Sequence, residues 1–272
     1  MSPFRHTKKQ LNSRLYIDKI LRASSRYANW EPGSRIEPGD YGEVDEHTGE
    51  FIKHGNIFKL SSTKAFATEE LKVQTGASNT QEFVSLQTVT KHLDIEADAE
   101  ISGVASVAFK KQYHFMRERG AVLVMHHARP ITLEGNINAI PRQDLRGMRL
   151  ITEVIECTNC FMFLSNTKGG SISLRLNLTG PAVPGVTTGG GTSIGWHHIG
   201  VAGSVKEGSG FNPDFTPLYR AKEFKKLERL RGDDDGDTAT EGWVTSGPPW
   251  KILDSEGEEE QSDSDFDDED VD

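Results

Sequence analysis

The chain has 272 residues, 35% of them hydrophobic, with a formal net charge of −10 and two cysteines. That length allows one large domain with a real core, while a mean hydropathy of −0.53 leaves a sizeable part of the chain outside any core. No run approaches the ~18 apolar residues of a membrane-spanning helix, and no apolar signal stretch follows the charged N-terminus. Cys157 and Cys160 are too few for a disulfide scaffold and suit a reducing compartment, so the expectation is a protein made soluble in the cytoplasm.

The net charge conceals a division. From Gly232 to Asp272 there are 17 Asp and Glu against Lys251, a net −16, which leaves 24 acids against 30 bases in residues 1–231. The expected organisation is a mildly basic body, 1–231, with an acidic, disordered tail, 232–272.

Residues 1–30 hold seven Lys or Arg and one acid, Asp18. Thr7 and Gln10 have capping-box spacing, and Leu11, Leu15, Ile17, Ile20 and Leu21 form a broad apolar stripe. The spacing predicts a basic amphipathic helix over 8–23. Such helices lie on anionic membranes or dock on their own domain. Tyr41–Asp45 and Glu50–Lys53 read as hairpin arms around His47-Thr48-Gly49. Residues 61–80 show weak patterning and read as helix or loop, after which Phe83–Val89 leads into the next segment.

That segment, Leu93 to Phe109, alternates apolar or small residues at odd positions with mostly polar residues at even ones. Period two marks a β-strand with a dry and a wet face, and 17 residues would extend about 56 Å if straight. After a turn at 117–120, Ala121–Met125 and Ile131–Leu133 read as a second strand interrupted at Pro130, so that 93–133 is expected to form one long antiparallel hairpin. Leu145–Leu164 reads as a buried strand with Ile151, Val154, Ile155, Phe161 and Phe163 in the core. Ile172, Leu174, Leu176 and Leu178 then alternate with polar neighbours, a Gly/Pro-rich loop turns the chain, and Ser193–Val205 returns as a second hairpin. Thr216-Pro217 looks like an N-cap and first helical position, and Leu218, Ala221, Phe224, Leu227 and Leu230 predict a helix that Gly232 ends. Trp243 and Trp250-Lys251-Ile252-Leu253 stand out from the acidic tail as a docking patch near the basic helix.

Little here suggests chemistry. Cys157-x-x-Cys160 lacks two further ligands, and residues three apart on a strand point to opposite faces. The same alternation separates His126 from His127 and His197 from His198. Gly189-Gly190-Gly191 lacks the Lys-Ser/Thr of a phosphate-binding loop. The expectation is a protein that is not an enzyme and carries no cofactor or metal.

The order of these parts resembles the gasdermin pore-forming domain, in particular the fungal gasdermin-like proteins. The resemblance spans about residues 5–231 and includes the texture of Ile101–Phe115 and Leu150–Glu156. Two departures stand beside it: the large helical repressor of animal members is replaced by about 40 acidic residues, and Gly103 and Pro130 interrupt the first hairpin. The resemblance implies an α+β fold, with a twisted, mostly antiparallel sheet, long amphipathic hairpins and flanking helices. It implies a cytoplasmic, autoinhibited effector of programmed cell death, of the kind that acts in heterokaryon incompatibility. An activating protease or a related gasdermin-like partner would release it to bind acidic phospholipid at the plasma membrane and assemble as a homo-oligomeric β-barrel. Nucleic acid is not an expected partner. Arg5, Lys8, Lys9, Arg14, Lys19 and Arg22 would contact lipid. Ile95, Ala97, Ala99, Ile101, Ile172, Leu174, Leu176 and Leu178 would face the membrane. The tail would be cut in the stretch marked by Gly232, Thr240, Trp243 and Gly247. Two other readings stay open: an acidic-tailed, chaperone-like binding protein, and a β-rich carrier of a small ligand or glycan.

Overall fold

The structure, a computed structural model, describes residues 4–60, 71–93, 105–116, 119–140, 145, 147–179, 194–227, 240–251, 253–254 and 257–259. It opens with helix α1 (Phe4–Ser24), the one α-helix among the described residues, and β1 (Tyr27–Ala28). The hairpin of β2 (Asp40–Val44) and β3 (Phe51–Asn56) follows, then the short strands β4 (Leu71–Thr75), β5 (Asn79–Val84) and β6 (Thr88–His92). Next come β7 (Ala105–Phe115), β8 (Ala121–Gly135), β9 (Arg149–Cys157) and β10 (Asn159–Ser165). The chain continues through β11 (Gly170–Thr179), β12 (Ile194–Gly200), β13 (Gly203–Ser209), β14 (Phe215–Leu227) and β15 (Thr240–Thr245). Every described pairing is antiparallel, and the fold is α+β.

Strand β8 is the spine. Residues 121–128 lie between β5 and β10, and residues 129–135 lie between β4 and β9. The change of partners falls at His127, whose φ of 55° is left-handed, a conformation in which His is over-represented among non-glycine residues. Pro130 does not interrupt the strand. It falls between the β4 and β5 ladders, where its carbonyl accepts from the Gly76 amide at 2.8 Å and no N–H is called for in return.

Both faces of β10 and of residues 121–125 of β8 are dry, and their side chains alternate between two cores. Ala121, Leu123 and Met125, with Cys160, Met162 and Leu164, point into one cluster beside Leu15, Tyr16, Ile17 and Ile20 of α1. Val122, Val124, Phe161 and Phe163 point into the other, beside Phe109, Tyr113, Ile172, Leu174 and Leu176. The result is three layers: α1, the eleven-stranded sheet, and a four-stranded sheet in the order β12-β11-β7-β6. Two-sided burial explains why 121–125 and 160–164 read as unbroken apolar runs.

Five expectations need correction. Strands β7 and β8 do not pair, so 93–133 is not a hairpin: β7 lies between β6 and β11 in the four-stranded sheet, while β8 lies in the other. Within 61–80, read as helix or loop, residues 71–75 form β4 and 79–80 begin β5, and a turn at 85–87 separates β5 from β6. The segment 145–164 contains two strands, β9 and β10, hinged at Thr158. The helix expected after Thr216 is instead β14, where register shifts at Phe215/Leu218 and Arg220/Ala221 break the strict alternation and leave apolar residues three apart. Finally, the acidic tail is not wholly unstructured, because Thr240–Thr245 pair with Lys222–Leu227 as an outer strand. The second hairpin does form, between β11 and β12, with its return shortened because β13 crosses to pair with β10.

Leu174 is 1% exposed between the two sheets, whereas Ile199, in the same four-stranded sheet, is 68% exposed. Leu174→Ala is expected to cost about 2–5 kcal/mol in urea unfolding, and Ile199→Ala no more than about 0.5 kcal/mol. Similar losses at the two positions would contradict this layering.

Candidate functional site

Helix α1 turns Leu15, Tyr16, Ile17 and Ile20 inward, and the Tyr16 hydroxyl donates to the Val122 carbonyl at 3.1 Å. Its outer side meets the C-terminal segment. Trp250 and Leu253 are 6% and 4% exposed and belong to the same cluster as the helix. The Trp250 indole N–H donates to Asp18 Oδ1 at 3.2 Å, and the Arg14 guanidinium lies 5.6 Å from the Trp250 ring centroid. Arg14 pairs with Glu259 at 2.8 Å, and Arg22 donates to the Leu253 carbonyl at 3.1 Å while pairing with Asp18 at 2.5 Å. Upstream, Arg149 reaches both the Ser246 hydroxyl and the Gly247 carbonyl.

The hairpin tip between β2 and β3 completes the seat. Gly49 has φ +75°, and a Cβ there would come within 3.0 Å of both Ile17 Cδ1 and Trp250 Cη2. Glycine is favoured on both counts, the left-handed backbone and the close approach of the indole. Beyond Trp250, the Asp254 carboxylate accepts from the Gly257 and Glu258 amides and turns the chain so that Glu259 returns beside Leu253 and reaches Arg14.

Magnitudes separate the anchor from the charges. A tryptophan buries about 150–250 Å2, worth roughly 4–6 kcal/mol at 25 cal/mol per Å2 as an upper bound. Glu259 is 42% exposed, and a pair of that kind is worth about 0–1 kcal/mol. The apolar anchor holds the segment, and the ion pairs orient it.

Asp18 is the exception among these charges. Burial pushes its carboxyl above the usual range, against the opposing pull of Arg22, the Trp250 indole and Lys19. The folded state therefore holds the Asp18 proton more tightly than the unfolded chain does.

The sequence-derived candidates fall in several places. Arg14, Lys19 and Arg22 of the expected lipid contacts are all engaged or nearly buried, with Lys19 at 9% exposure. Arg5, Lys8 and Lys9 lie on the first turns of α1, and their side chains are outside the described residues, as are Ile95, Ala97, Ala99 and Ile101. Ile172, Leu174 and Leu176 are core residues between the sheets, while Leu178 opposes Ile194 in the β11–β12 ladder. Gly232 lies outside the described residues, Thr240 and Trp243 are in β15, and Gly247 follows it. Asp18, Gly49 and Glu259 were missed. The available signal was Asp18 itself, a lone acid among seven bases and four residues from Arg22.

Two geometric arguments against clustering do not hold. Cys157 ends β9 and Cys160 lies in β10, so the turn at Thr158 brings both thiols into one core, where a hydrogen bond to Cys160 and burial push the Cys157 thiol upward. His126 and His127 have ring centroids 4.2 Å apart, because the left-handed backbone at His127 breaks the alternation. Burial first, then His127, holds His126 below the ordinary histidine range. No group of three or more His, Cys, Asp or Glu poised for a metal occurs among the described residues.

The described chain is thus an α+β protein whose N-terminal helix is capped by its C-terminal segment. No family model matches it, and no curated protein matches it. Among solved structures, it is similar to a cryo-EM structure of the gasdermin A3 membrane pore, at 7% identity over 92% of this chain and 98% of that one, with a TM-score of 0.28.

Two measurements probe the seat. Trp250→Ala is expected to expose 246–259 to limited proteolysis and to cost about 3–5 kcal/mol, whereas Glu259→Ala should cost no more than about 1 kcal/mol. Equal effects would make the seat electrostatic. In the window between the ordinary Asp value of about 3.9 and the raised value of Asp18, the folded state binds more protons, so the Asp18 contribution to stability rises as pH falls. The stability of wild type relative to Asp18→Asn should therefore improve from about pH 7 to about pH 4. A difference independent of pH would contradict the buried carboxyl.

Proposed function

We propose that this chain is a pore-forming protein of the gasdermin kind, stored closed by its own C-terminal segment and opened when that segment leaves. The observation that carries the reading is the occupation of Arg14 and Arg22. Both sit on the helix whose basic, amphipathic character suits an anionic membrane surface, and both are taken by residues 253–259 in the closed form. Removing the segment frees the Arg14 guanidinium from Glu259 and uncovers Arg22, which stays paired with Asp18; a basic residue near an anionic leaflet is worth about 1 kcal/mol.

The β11–β12 hairpin supports the second half of the reading. Its alternating face, Ile172, Leu174 and Leu176, is buried against β8 and β10, so it needs an apolar surface wherever it goes. A closed barrel of such strands pairs every backbone N–H and C=O, the condition for strands to cross lipid. The active form is then a homo-oligomer in an acidic phospholipid membrane, and the stored form waits in the cytoplasm for a protease or a partner to displace residues 240–259.

The test compares full-length chain with a chain ending at Arg231, each checked for fold by circular dichroism. Dye release is measured from vesicles containing phosphatidylserine and from vesicles of phosphatidylcholine alone. Release by the shortened chain only, and from the anionic vesicles only, is the expected result. Equal release by the two chains, or none by either, would contradict the proposal.

A further inference from the structure

We infer that a cavity on the large sheet, away from α1 and independent of the membrane reading, binds a small molecule through a phosphomonoester group. The cavity, of about 260 Å3, opens where β8, β9, β14 and β15 meet. Its origin is an irregularity in pairing. Arg220 opposes Glu153 and Ala221 opposes Ile151, so Thr152 has no partner on β14 and the two strands part there.

The register also sets the charge. Thr132, Glu153 and Arg220 stand in one cross-strand row over β8, β9 and β14. Lys222, two residues along β14 on the same side as Arg220, faces Thr245 of β15. Two cations and three hydroxyls, Thr132, Thr152 and Thr245, therefore surround the space, with Glu153 as the one acid among the described residues that line it. Glu153 pairs with Arg26 at 2.5 Å and, more loosely, with Arg220 at 3.6 Å, so one carboxylate is shared between two guanidinium groups. Lys222 is half-buried and makes no ion pair among the described residues. An excess of positive charge in a partly enclosed space lined by hydroxyl donors suits a doubly charged anion, and guanidinium with ammonium suits phosphate. The volume is smaller than a drug-sized pocket, so the ligand is small: a phosphate ester of a few carbons, or a lipid headgroup such as phosphatidic acid. Because Thr245 belongs to β15, a bound ligand ties the outer strand to the rest of the sheet.

The experiment titrates full-length protein with glycerol 3-phosphate at constant ionic strength, by calorimetry. In parallel it measures sedimentation with vesicles containing phosphatidic acid against phosphatidylcholine alone. Arg220→Gln and Lys222→Gln are compared with Lys91→Gln, an exposed base on β6. One-site binding of glycerol 3-phosphate is expected, weakened about tenfold or more by either cavity variant and unchanged by Lys91→Gln. Should only the vesicles bind, and bind less to Lys222→Gln, the source is the lipid headgroup. Lys222→Gln breaks no ion pair among the described residues and serves alone if Arg220→Gln fails to fold. Absence of binding in both arms, or binding that the cavity variants leave unchanged, would overturn the inference.

Discussion

Residues 121–125 of strand β8 are buried on both faces and held between β5 and β10, and the rest of the molecule depends on that. Ala121, Leu123 and Met125 build the core under α1, and Val122 and Val124 build the core under the four-stranded sheet. A strand in this position has no free edge to slip along and no wet face to exchange, which fixes the separation of the two outer layers. The kink at His127 then lets one strand serve two sets of partners. Everything mobile in the proposed mechanism must come from the outside of this unit: the C-terminal segment over α1 and the hairpin of the smaller sheet.

The contact between α1 and residues 246–259 shows how an acidic extension is held by something other than its acids. With 17 carboxylates from Gly232 onward, an electrostatic clamp is the obvious expectation from charge alone. The geometry places the weight on one indole, seated between Gly49, Ile17 and Asp18, and on Leu253. Such a latch is insensitive to salt in its main contribution, because apolar burial is not screened, while the Arg14–Glu259 pair is. Burial raises the Asp18 carboxyl above its ordinary value, so a charge beneath Trp250 carries a desolvation cost that Arg22, the indole and Lys19 offset only in part.

Much of this was legible in the sequence where one period rules a segment. Helix α1 followed from its apolar stripe, the β2–β3 hairpin from the turn at His47-Thr48-Gly49, and the β11–β12 hairpin from clean alternation. The docking residues Trp250 and Leu253 stood out as apolar points in an acidic stretch. Legibility failed where pairing partners override local pattern. Register shifts gave β14 a helix-like spacing, and β4, an outer strand exposed over four of its five residues, has no apolar face to display. Strands β7 and β8 are neighbours in sequence, yet nothing local says that they join different sheets. The cationic cavity was invisible for the same reason, since it is assembled by register across four strands.

The central claim is that docking of Trp250 and Leu253 hides the cations of α1 from membranes. Its most direct test is sedimentation with anionic vesicles of three full-length proteins: the native chain, Trp250→Ala/Leu253→Asp, and that variant with Arg14→Glu and Arg22→Glu added. The account predicts that the native chain stays in solution, the undocked variant sediments, and the charge reversals return it to solution. Equal sedimentation of native and undocked chains, or binding by the undocked chain that survives charge reversal, would contradict it.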